Sequence, residues 1–293
     1  MTRKQIELRE RANLELYMQN NLDACLDAIM ELYDLIPSTG GGFKPLFRYR
    51  KLIGDELKSL TQETIFMRWP SSYTDTSDCK PVADYKEIAT YIVEHKYPIL
   101  DAAKFVGVMD IKDIEKNPEV LKRLDKIRNM WMISCFTGKK DNKRMWSEYA
   151  DQCKGICLEY DFKKVLDKVK ETNGEMKIMP VRYIDYRDSC SDMALNHKDL
   201  LNMNDEGATE AKYKLACMTK EKLLYSFEEE WRLVYDREKK IEDEQEQKIG
   251  DSIPFINPKR IICGKAVDQN SGEYKELIEI AEDKGIEMVQ MDH

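Results

Sequence analysis

The sequence predicts an α+β fold, in which helices flank a central mixed, largely antiparallel sheet and a helical arm precedes it. Apolar residues recur with helical spacing near both ends of the chain, and short apolar strand-like runs lie between them. These patterns follow the order helix, strands, helices, strands, helix, strands, helix, strand. That order is typical of an α+β domain built on one sheet.

Composition narrows the class of protein. The chain has 293 residues, 35% of them charged and 42% hydrophobic, with a net charge of −8. This length can bury a sizeable core, and the acidic balance argues against broad binding to duplex nucleic acid. No apolar run approaches the roughly 20 residues that cross a bilayer, and the polar N-terminus does not resemble a signal peptide. We therefore expect a cytoplasmic protein that has no membrane partner.

Cysteine and histidine usage limits the chemistry. The eight cysteines are scattered along the chain, and we expect them to be reduced thiols. Cys135, Cys157 and Cys263 lie in apolar strand-like runs and are predicted to be buried and inert. Three histidines leave little room for a histidine zinc site or a Ser-His-Asp triad. No metal is expected.

Residues 1–42 are predicted to form a helical arm followed by a glycine-rich link. Apolar residues between Leu22 and Tyr33 share one helical face, and Pro37 with the glycines after it ends the helical pattern. We expect this face to pack on the core. A homodimer through the N-terminal helix is the alternative.

Residues 43–293 are predicted to form a single α+β domain with a helical block at about 82–130. Strands are predicted near 45–50, 64–69, 130–137, 156–160, 179–184, 253–262 and 286–291. Helices are predicted near 55–60, 145–150, 208–225 and 273–281, with Gly285 as the last C-cap. Residues 188–207 are predicted to be loop, and the charged run 237–248 a solvated turn.

The stretch Phe227 to Tyr235 is the most informative in the chain. It combines two acidic residues, Glu228 and Glu230, with an alternating apolar strand pattern. Because side chains alternate along a strand, both carboxylates are predicted to point to the same face. Two carboxylates on one face are costly unless they bind something. This stretch is therefore the predicted centre of the functional site.

Several segments of the chain resemble the bacterial family called domain of unknown function 2971. They are Leu46 to Arg50, Ile65 to Cys79, Ser134 to Thr137, Met145 to Ala150, Lys154 to Tyr160, Phe227 to Arg232 and Ile261 to Gly264. The segment Thr74 to Asp78 departs from the usual Asn-Asp-Pro-Phe-Asp of the family. Membership of this family implies no settled activity.

The chain also resembles ADP-ribosyltransferases of the arginine–serine–glutamate type. The matching elements are Arg48 or Arg50, the run Ser134 to Thr137, and Glu228-x-Glu230, in that order. Ser-Cys-Phe-Thr stands here in place of Ser-Thr-Ser. The resemblance implies that NAD is a substrate and that the acceptor is a protein or nucleic acid. A bacterial toxin or phage-defence effector would have such an activity.

The chemistry of NAD cleavage assigns roles to these residues. Positive charge develops on the ribose, so a fixed carboxylate beside it, Glu230, would stabilise that charge, and Glu228 would orient the acceptor. An arginine clamp suits the pyrophosphate or ribose. The residues expected to hold NAD are Arg48, Tyr49, Arg50, Tyr73, Ser134, Phe136, Thr137 and Trp146, of which the aromatic members would sandwich nicotinamide.

Other interpretations stay open. Glu228 and Glu230 could pair with Arg48, Arg50 or Arg232 in an ion-pair network without a ligand. Trp146 has the helical spacing of a core residue, and Ser134 and Thr137 could merely end a strand. A non-catalytic sensor module of a defence system could use the same pocket for a nucleotide or partner. A third hypothesis is a metal-dependent nuclease that uses Asp75, Asp78, Glu228 and Glu230.

Overall fold

A computed structural model gives the fold of the chain. It describes residues 1–39, 42–73, 78–84, 86–88, 90–91, 128, 130–186, 191–201, 206–236 and 249–291. The helices are α1 (Arg3–Tyr17), α2 (Leu22–Leu35), α3 (Gly54–Thr61), α4 (Lys143–Glu148), α5 (Phe162–Lys170), α6 (His197–Leu201), α7 (Glu206–Cys217), α8 (Lys222–Tyr225) and α9 (Gly272–Lys284). None of these described helices is long and apolar enough to span a bilayer.

The strands form one large sheet and two small ones. They are β1 (Pro45–Arg50), β2 (Thr64–Arg68), β3 (Val82–Ala83), β4 (Trp131–Thr137), β5 (Ile156–Asp161), β6 (Met176–Pro180), β7 (Arg182–Ile184), β8 (Ala194–Leu195), β9 (Thr219–Glu221), β10 (Glu230–Asp236), β11 (Gly250–Pro254), β12 (Arg260–Cys263) and β13 (Glu287–Gln290). The large sheet has the order β11-β2-β4-β1-β5-β12-β13, and β10 pairs with β4 while β6 pairs with the other edge of β10. Its pairs are antiparallel except β12 with β13. The predicted α+β class with a mixed, largely antiparallel sheet is confirmed.

Strand β4 is the branch point of the large sheet. Along one edge it pairs with β10, from Glu230 opposite Thr137 to Asp236 opposite Trp131. Its other edge carries two strands, because Arg68 of β2 lies opposite Ile133 while Phe47 of β1 lies opposite Thr137. Strands β1 and β2 therefore leave β4 at positions four residues apart. The divergence of these strands creates a fork in the sheet.

The N-terminal helices pack on the core, as expected for the apolar face of the arm. Leu8 and Ala12 of α1 and Ile29 of α2 are buried in the same apolar cluster as Trp231 of β10. Burial of a large apolar side chain contributes about 1.5–3 kcal/mol, so this contact ties the arm firmly to the sheet. The turn at residues 18–21 divides the arm into two helices that pack on each other. The homodimer alternative stays a prediction.

Several predicted boundaries differ from the structure. The single strand near 179–184 is two strands, β6 and β7, which belong to different sheets. The helix predicted over 208–225 ends at Cys217, because the next residues form β9 and pair with β7. Residues 188–207, predicted to be loop, include β8 and α6. Helix α5, which was not predicted, is capped by the carboxylate of Asp161.

Some predicted features fall on parts of the chain that the structure does not cover. The helical block at 82–130 lies largely outside the described residues. The charged run at 237–248 lies wholly outside them, as do Thr74, Asp75 and Thr76.

Candidate functional site

A cleft of about 290 Å³ opens at the fork between β1 and β2. Residues of β1, β2, β4, β9 and the turn before β10 line it. Of the ten predicted site residues, nine contribute to this lining: Arg48, Tyr49, Arg50, Tyr73, Ser134, Phe136, Thr137, Glu228 and Glu230. Residues that are 182 positions apart in the sequence thus converge on one site.

The glutamate stretch does not have the strand geometry that the sequence analysis assumed. Glu228 ends a 3-10 turn (Ser226–Glu228), Glu229 adopts a left-handed conformation with φ of 43°, and Glu230 is the first residue of β10. Strand alternation therefore does not explain why the two carboxylates meet. They meet because the turn folds Glu228 back towards Lys220, which also contacts Glu230.

Side chains from three separate elements hold the main chain of this turn. Four consecutive carbonyl oxygens, from Phe227 to Glu230, accept a hydrogen bond. Asn142 Nδ2 donates to the oxygen of Phe227 at 2.7 Å, and Thr137 Oγ1 donates to that of Glu228. Arg9 of α1 donates to the oxygens of Glu229 and Glu230 at 3.1 and 2.6 Å. The turn is thus held in a preorganised conformation.

The carboxylates form a buried network with two cations. Lys220 Nζ lies 2.8 Å from Glu228 Oε2 and 2.7 Å from Glu230 Oε2. Arg232, whose side chain is fully buried, contacts Glu230 Oε1 and Asp78 Oδ1, both at 2.8 Å. Tyr149 donates its hydroxyl to Glu228 Oε1 at 2.7 Å. Among the interpretations left open, an ion-pair network through Arg232 therefore exists, whereas Arg48 and Arg50 have another partner.

The two carboxylates differ in their protonation behaviour. Burial on its own would raise the pKa of Glu230, but the nearby charges of Arg232 and Lys220 outweigh burial and lower it. Burial raises the pKa of Glu228, and the negative charge of Glu230 raises it further. A pair of acids whose pKa values are pushed apart suits a division into a fixed charge and a proton acceptor.

Arginines line the wall of the cleft formed by β1 and β2. Arg48 is buried, its Nη1 lies 3.3 Å from Glu56 Oε1, and its Nη2 donates to the carbonyl oxygen of Phe66 at 3.2 Å. Arg50 Nε donates to Glu56 Oε2 at 2.5 Å, and its side chain is 35% exposed. Burial would raise the pKa of Glu56, but the two arginines lower it. Arg48 thus fastens β1 to β2, whereas Arg50 reaches the cleft.

The predicted aromatic sandwich is not assembled as expected. Trp146 is buried outside the cleft lining, with its ring 5.1 Å from that of Tyr49 in an edge-to-face contact. The Tyr49 hydroxyl donates to the carbonyl oxygen of Lys139 at 3.0 Å. Phe136 is buried against Tyr160. Tyr73, which is partly exposed, is the member of the predicted set with a ring available to a ligand.

Strand β4 contributes both polar and thiol groups. Thr137 is buried and Ser134 is 3% exposed, and the Ser134 hydroxyl has no hydrogen-bond partner among the described residues. Cys157 and Cys263 are buried as predicted, but Cys135 is exposed in the cleft, so its predicted burial is wrong. The walls around Cys135 still remove enough water to raise the pKa of its thiol. Cys135 lies at the fork, between the positions of β4 that pair with β2 and with β1, and it lines the cleft.

Sequence reasoning missed five residues that build the site. They are Arg9, Glu56, Asn142, Tyr149 and Lys220. Lys220 has a weak signal, since it lies eight residues before Glu228 and adjoins a helix end. Arg9 has none, because its partner is 221 residues away. Glu56 has none, because the adjacent Asp55 on the same helix could pair with an arginine equally well.

This geometry gives little support to the hypothesis of a metal-dependent nuclease. Within the described part of the chain, no group of three His, Cys, Asp or Glu side chains is placed to hold a metal ion. Asp78, Glu228 and Glu230 instead surround the ammonium of Lys220, which lies 3.7 Å from Asp78 Oδ2. A cation of the chain itself thus occupies the position between these carboxylates. Asp75 lies outside the described residues.

Comparison with known proteins confirms one of the two resemblances. A family model described as "Protein of unknown function (DUF2971)" matches residues 145–233, which run from α4 to β10 and include Tyr149, Lys220, Glu228 and Glu230. Searches of curated proteins and of solved structures found no match. Over this range the chain is similar to that family.

Proposed function

We propose that this protein binds NAD in the cleft and transfers its ADP-ribose group to an acceptor. The observation that supports this most is the placement of Glu228 and Glu230 on one edge of β4, while arginines line the cleft from the other edge. A dinucleotide needs cations for its phosphates, and its ribose needs a carboxylate when the bond to nicotinamide breaks.

The proposed reaction uses the two carboxylates differently. The bond between ribose C1′ and the nicotinamide nitrogen breaks, and nicotinamide leaves with the electron pair. Glu230, whose pKa is lowered by Arg232 and Lys220, keeps its negative charge beside the positive ribose. A lone pair of the acceptor forms the new bond to C1′, and Glu228 takes the proton that the acceptor loses. The raised pKa of Glu228 makes it the better proton acceptor of the pair.

Nicotinamide release from NAD tests this proposal. Wild type is expected to release nicotinamide, and Glu230→Gln is expected to lose at least about 100-fold in rate, as when one electrostatic group is removed from an active site. Glu229→Gln is the matched control, because Glu229 contacts the N-terminus and Lys139 rather than Lys220. Equal rates for wild type and Glu230→Gln would contradict the proposal.

A non-catalytic sensor is the second candidate, and one observation favours it. Both carboxylate oxygens of Glu230 already have cationic partners, Arg232 and Lys220, at 2.8 and 2.7 Å. A saturated carboxylate has less capacity to hold a ribose hydroxyl. The sensor predicts that NAD or another nucleotide raises the melting temperature of wild type without nicotinamide release.

The wider setting of the proposal follows the family resemblance. The acceptor would be a protein or nucleic acid in the cytoplasm, as for a bacterial toxin or phage-defence effector. A homodimer through the N-terminal helices belongs to the same proposal. The exposed side chains Leu22, Leu26 and Met30 lie at intervals of four residues on α2. Light scattering of wild type and Leu26→Gln tests the dimer, which an unchanged monomer mass would contradict.

A further inference from the structure

Charge is unevenly distributed around the cleft. The wall formed by β1 and β2 carries Arg48, Arg50 and Arg68, which face a single carboxylate, Glu56. On the side of β10, the carboxylates of Asp78, Glu228 and Glu230 outnumber the cations of Lys220 and Arg232. The first side therefore has an excess of two positive charges, and the second side has an excess of one negative charge.

Arg68 contributes most to the positive excess. It ends β2, opposite Ile133 of β4, and lines the cleft. Its Nη2 donates to the carbonyl oxygen of Ser72 at 3.3 Å, and its buried Nε has no hydrogen-bond partner in the part of the chain that the structure describes. No described carboxylate lies within ion-pair distance of its guanidinium. A partly buried guanidinium without a counter-ion is costly unless an anion binds beside it.

The other two arginines of this wall are not equivalent. The two Nη atoms of Arg48 are engaged by Glu56 and by the carbonyl oxygen of Phe66, and its side chain is 6% exposed. Arg50 contacts Glu56 through Nε, which leaves its terminal nitrogens on a side chain that is 35% exposed. Arg50 and Arg68 are thus the pair that can meet a ligand, while Arg48 acts as a structural brace.

We infer that Arg50 and Arg68 form a diphosphate-binding wall, so that the ligand of the cleft is a nucleotide with a diphosphate group. Two forked guanidinium groups match the two charged phosphates of such a group, and a single carboxylate ligand would leave one of them unpaired. The inference rests on the proposed function for the rest of the ligand. It orients a dinucleotide with its pyrophosphate on β1 and β2 and its reactive ribose towards Glu230.

Calorimetric titration with ADP and with adenosine tests the wall. Wild type is expected to bind ADP at least about tenfold more tightly than adenosine, because charge-assisted hydrogen bonds to the phosphates are lost with adenosine. Arg68→Gln is expected to weaken ADP binding about tenfold or more and to leave adenosine binding unchanged. Arg68→Lys keeps the charge without the fork and should lie between them. Arg11→Gln is the matched control, since Arg11 is exposed and pairs with Glu31.

Arg50→Gln should weaken ADP binding like Arg68→Gln. Because that change also removes a partner of Glu56, the salt dependence of wild type provides an independent measurement. Added salt should weaken ADP binding and not adenosine binding. The inference is overturned if Arg68→Gln binds ADP as tightly as wild type, or if wild type does not prefer ADP to adenosine.

Nicotinamide release separates this inference from the proposed function. If wild type cleaves NAD while Arg68→Gln binds ADP normally, the proposed function is supported and the diphosphate-binding wall is contradicted. If ADP binding depends on Arg68 and no nicotinamide is released, the diphosphate-binding wall is supported and the cleavage reaction is contradicted.

Discussion

The guanidinium of Arg9 donates a hydrogen bond to the main-chain carbonyl oxygen of Glu230 over 2.6 Å. The same side chain reaches the carbonyl oxygens of Glu229 and Val181, at 3.1 and 3.2 Å. Arg9 lies on the first helix, so a segment expected to be an appended arm helps to fix the turn that carries the two carboxylates. The N-terminal helix is therefore a structural part of the candidate site.

Replacement of Arg9 tests this role. Arg9→Met removes hydrogen bonds to three carbonyl oxygens. Those of Glu229 and Glu230 still accept from the backbone N–H groups of Gly138 and Val181, so the loss is that of the bonds to the charged guanidinium, which contribute about 1.5–3 kcal/mol each. We expect the free energy of unfolding in urea to fall by about 3 kcal/mol. Arg11→Met on the exposed face of the same helix should change it by less than about 1 kcal/mol. A loss for Arg9→Met no larger than that of Arg11→Met would contradict this role.

Removal of Lys220 is expected to reverse the way in which the stability of the protein depends on pH. In wild type, the lowered pKa of Glu230 contributes stability above the unfolded pKa of about 4.3, and this is lost as pH falls through the folded-state pKa. Lys220→Met removes a cation that both carboxylates share. The folded-state pKa of Glu228, which burial already raises, then rises further, and stability is lost as pH rises from the unfolded pKa through this raised value.

The measurement for Lys220 is urea unfolding at pH 5 and pH 8. We expect Lys220→Met to lose about 3–5 kcal/mol at pH 8 and clearly less at pH 5. Lys168→Met is the control, because Lys168 pairs with the exposed Glu171. An equal loss for Lys220→Met at both pH values would show that the carboxylates do not depend on this lysine.

Thr137 is expected to act through its hydroxyl alone. It donates to the carbonyl oxygen of Glu228 and accepts from the backbone N–H of Lys139 at 3.2 Å. Thr137→Val keeps the shape and removes these bonds, so the free energy of unfolding should fall by about 1–2 kcal/mol. Thr137→Ser keeps the hydroxyl and should restore most of it. Equal losses for the Val and Ser variants would assign the effect to packing.

The exposed thiol of Cys135 gives a chemical probe of the cleft. Iodoacetamide at pH 9 is expected to modify Cys135 slowly, because the raised pKa leaves little thiolate. Cys25 and Cys263 are buried, so the reagent reaches them only when the structure opens, and both should react more slowly still. Bound ADP should protect Cys135, as measured by mass spectrometry of digested protein. Labelling of Cys135 only after addition of urea would contradict its exposure.

Much of the fold could be predicted because it depends on local pattern. The alternating runs of β1, β4 and β5 and the helical spacing of α9 are visible in the sequence, and each of these elements forms where it was predicted. The fork at β4 could not be predicted, because it depends on which positions of β4 pair with Arg68 and Phe47. A sequence pattern predicts that a strand forms, whereas the register of its pairing depends on partners far away in the chain.

In the candidate site, too, local pattern was predictable and contacts between distant residues were not. The acidic pair was found because two glutamates before an apolar strand are conspicuous, although the reason given for their proximity was wrong. Lys220 and Arg232 decide the charge state of that pair, and their contacts arise from tertiary packing. For Trp146 the proposed chemistry suggested a stacking platform and the helical spacing suggested a core residue, and its side chain lies in the core.

Nicotinamide release from NAD by wild type, Glu229→Gln and Glu230→Gln is the most direct test of the account. Release by wild type and Glu229→Gln, with a loss of at least about 100-fold for Glu230→Gln at a temperature where circular dichroism shows all three proteins to be folded, is the predicted result. Absence of release by wild type, or equal release by all three proteins, would contradict the claim that this cleft cleaves NAD with Glu230.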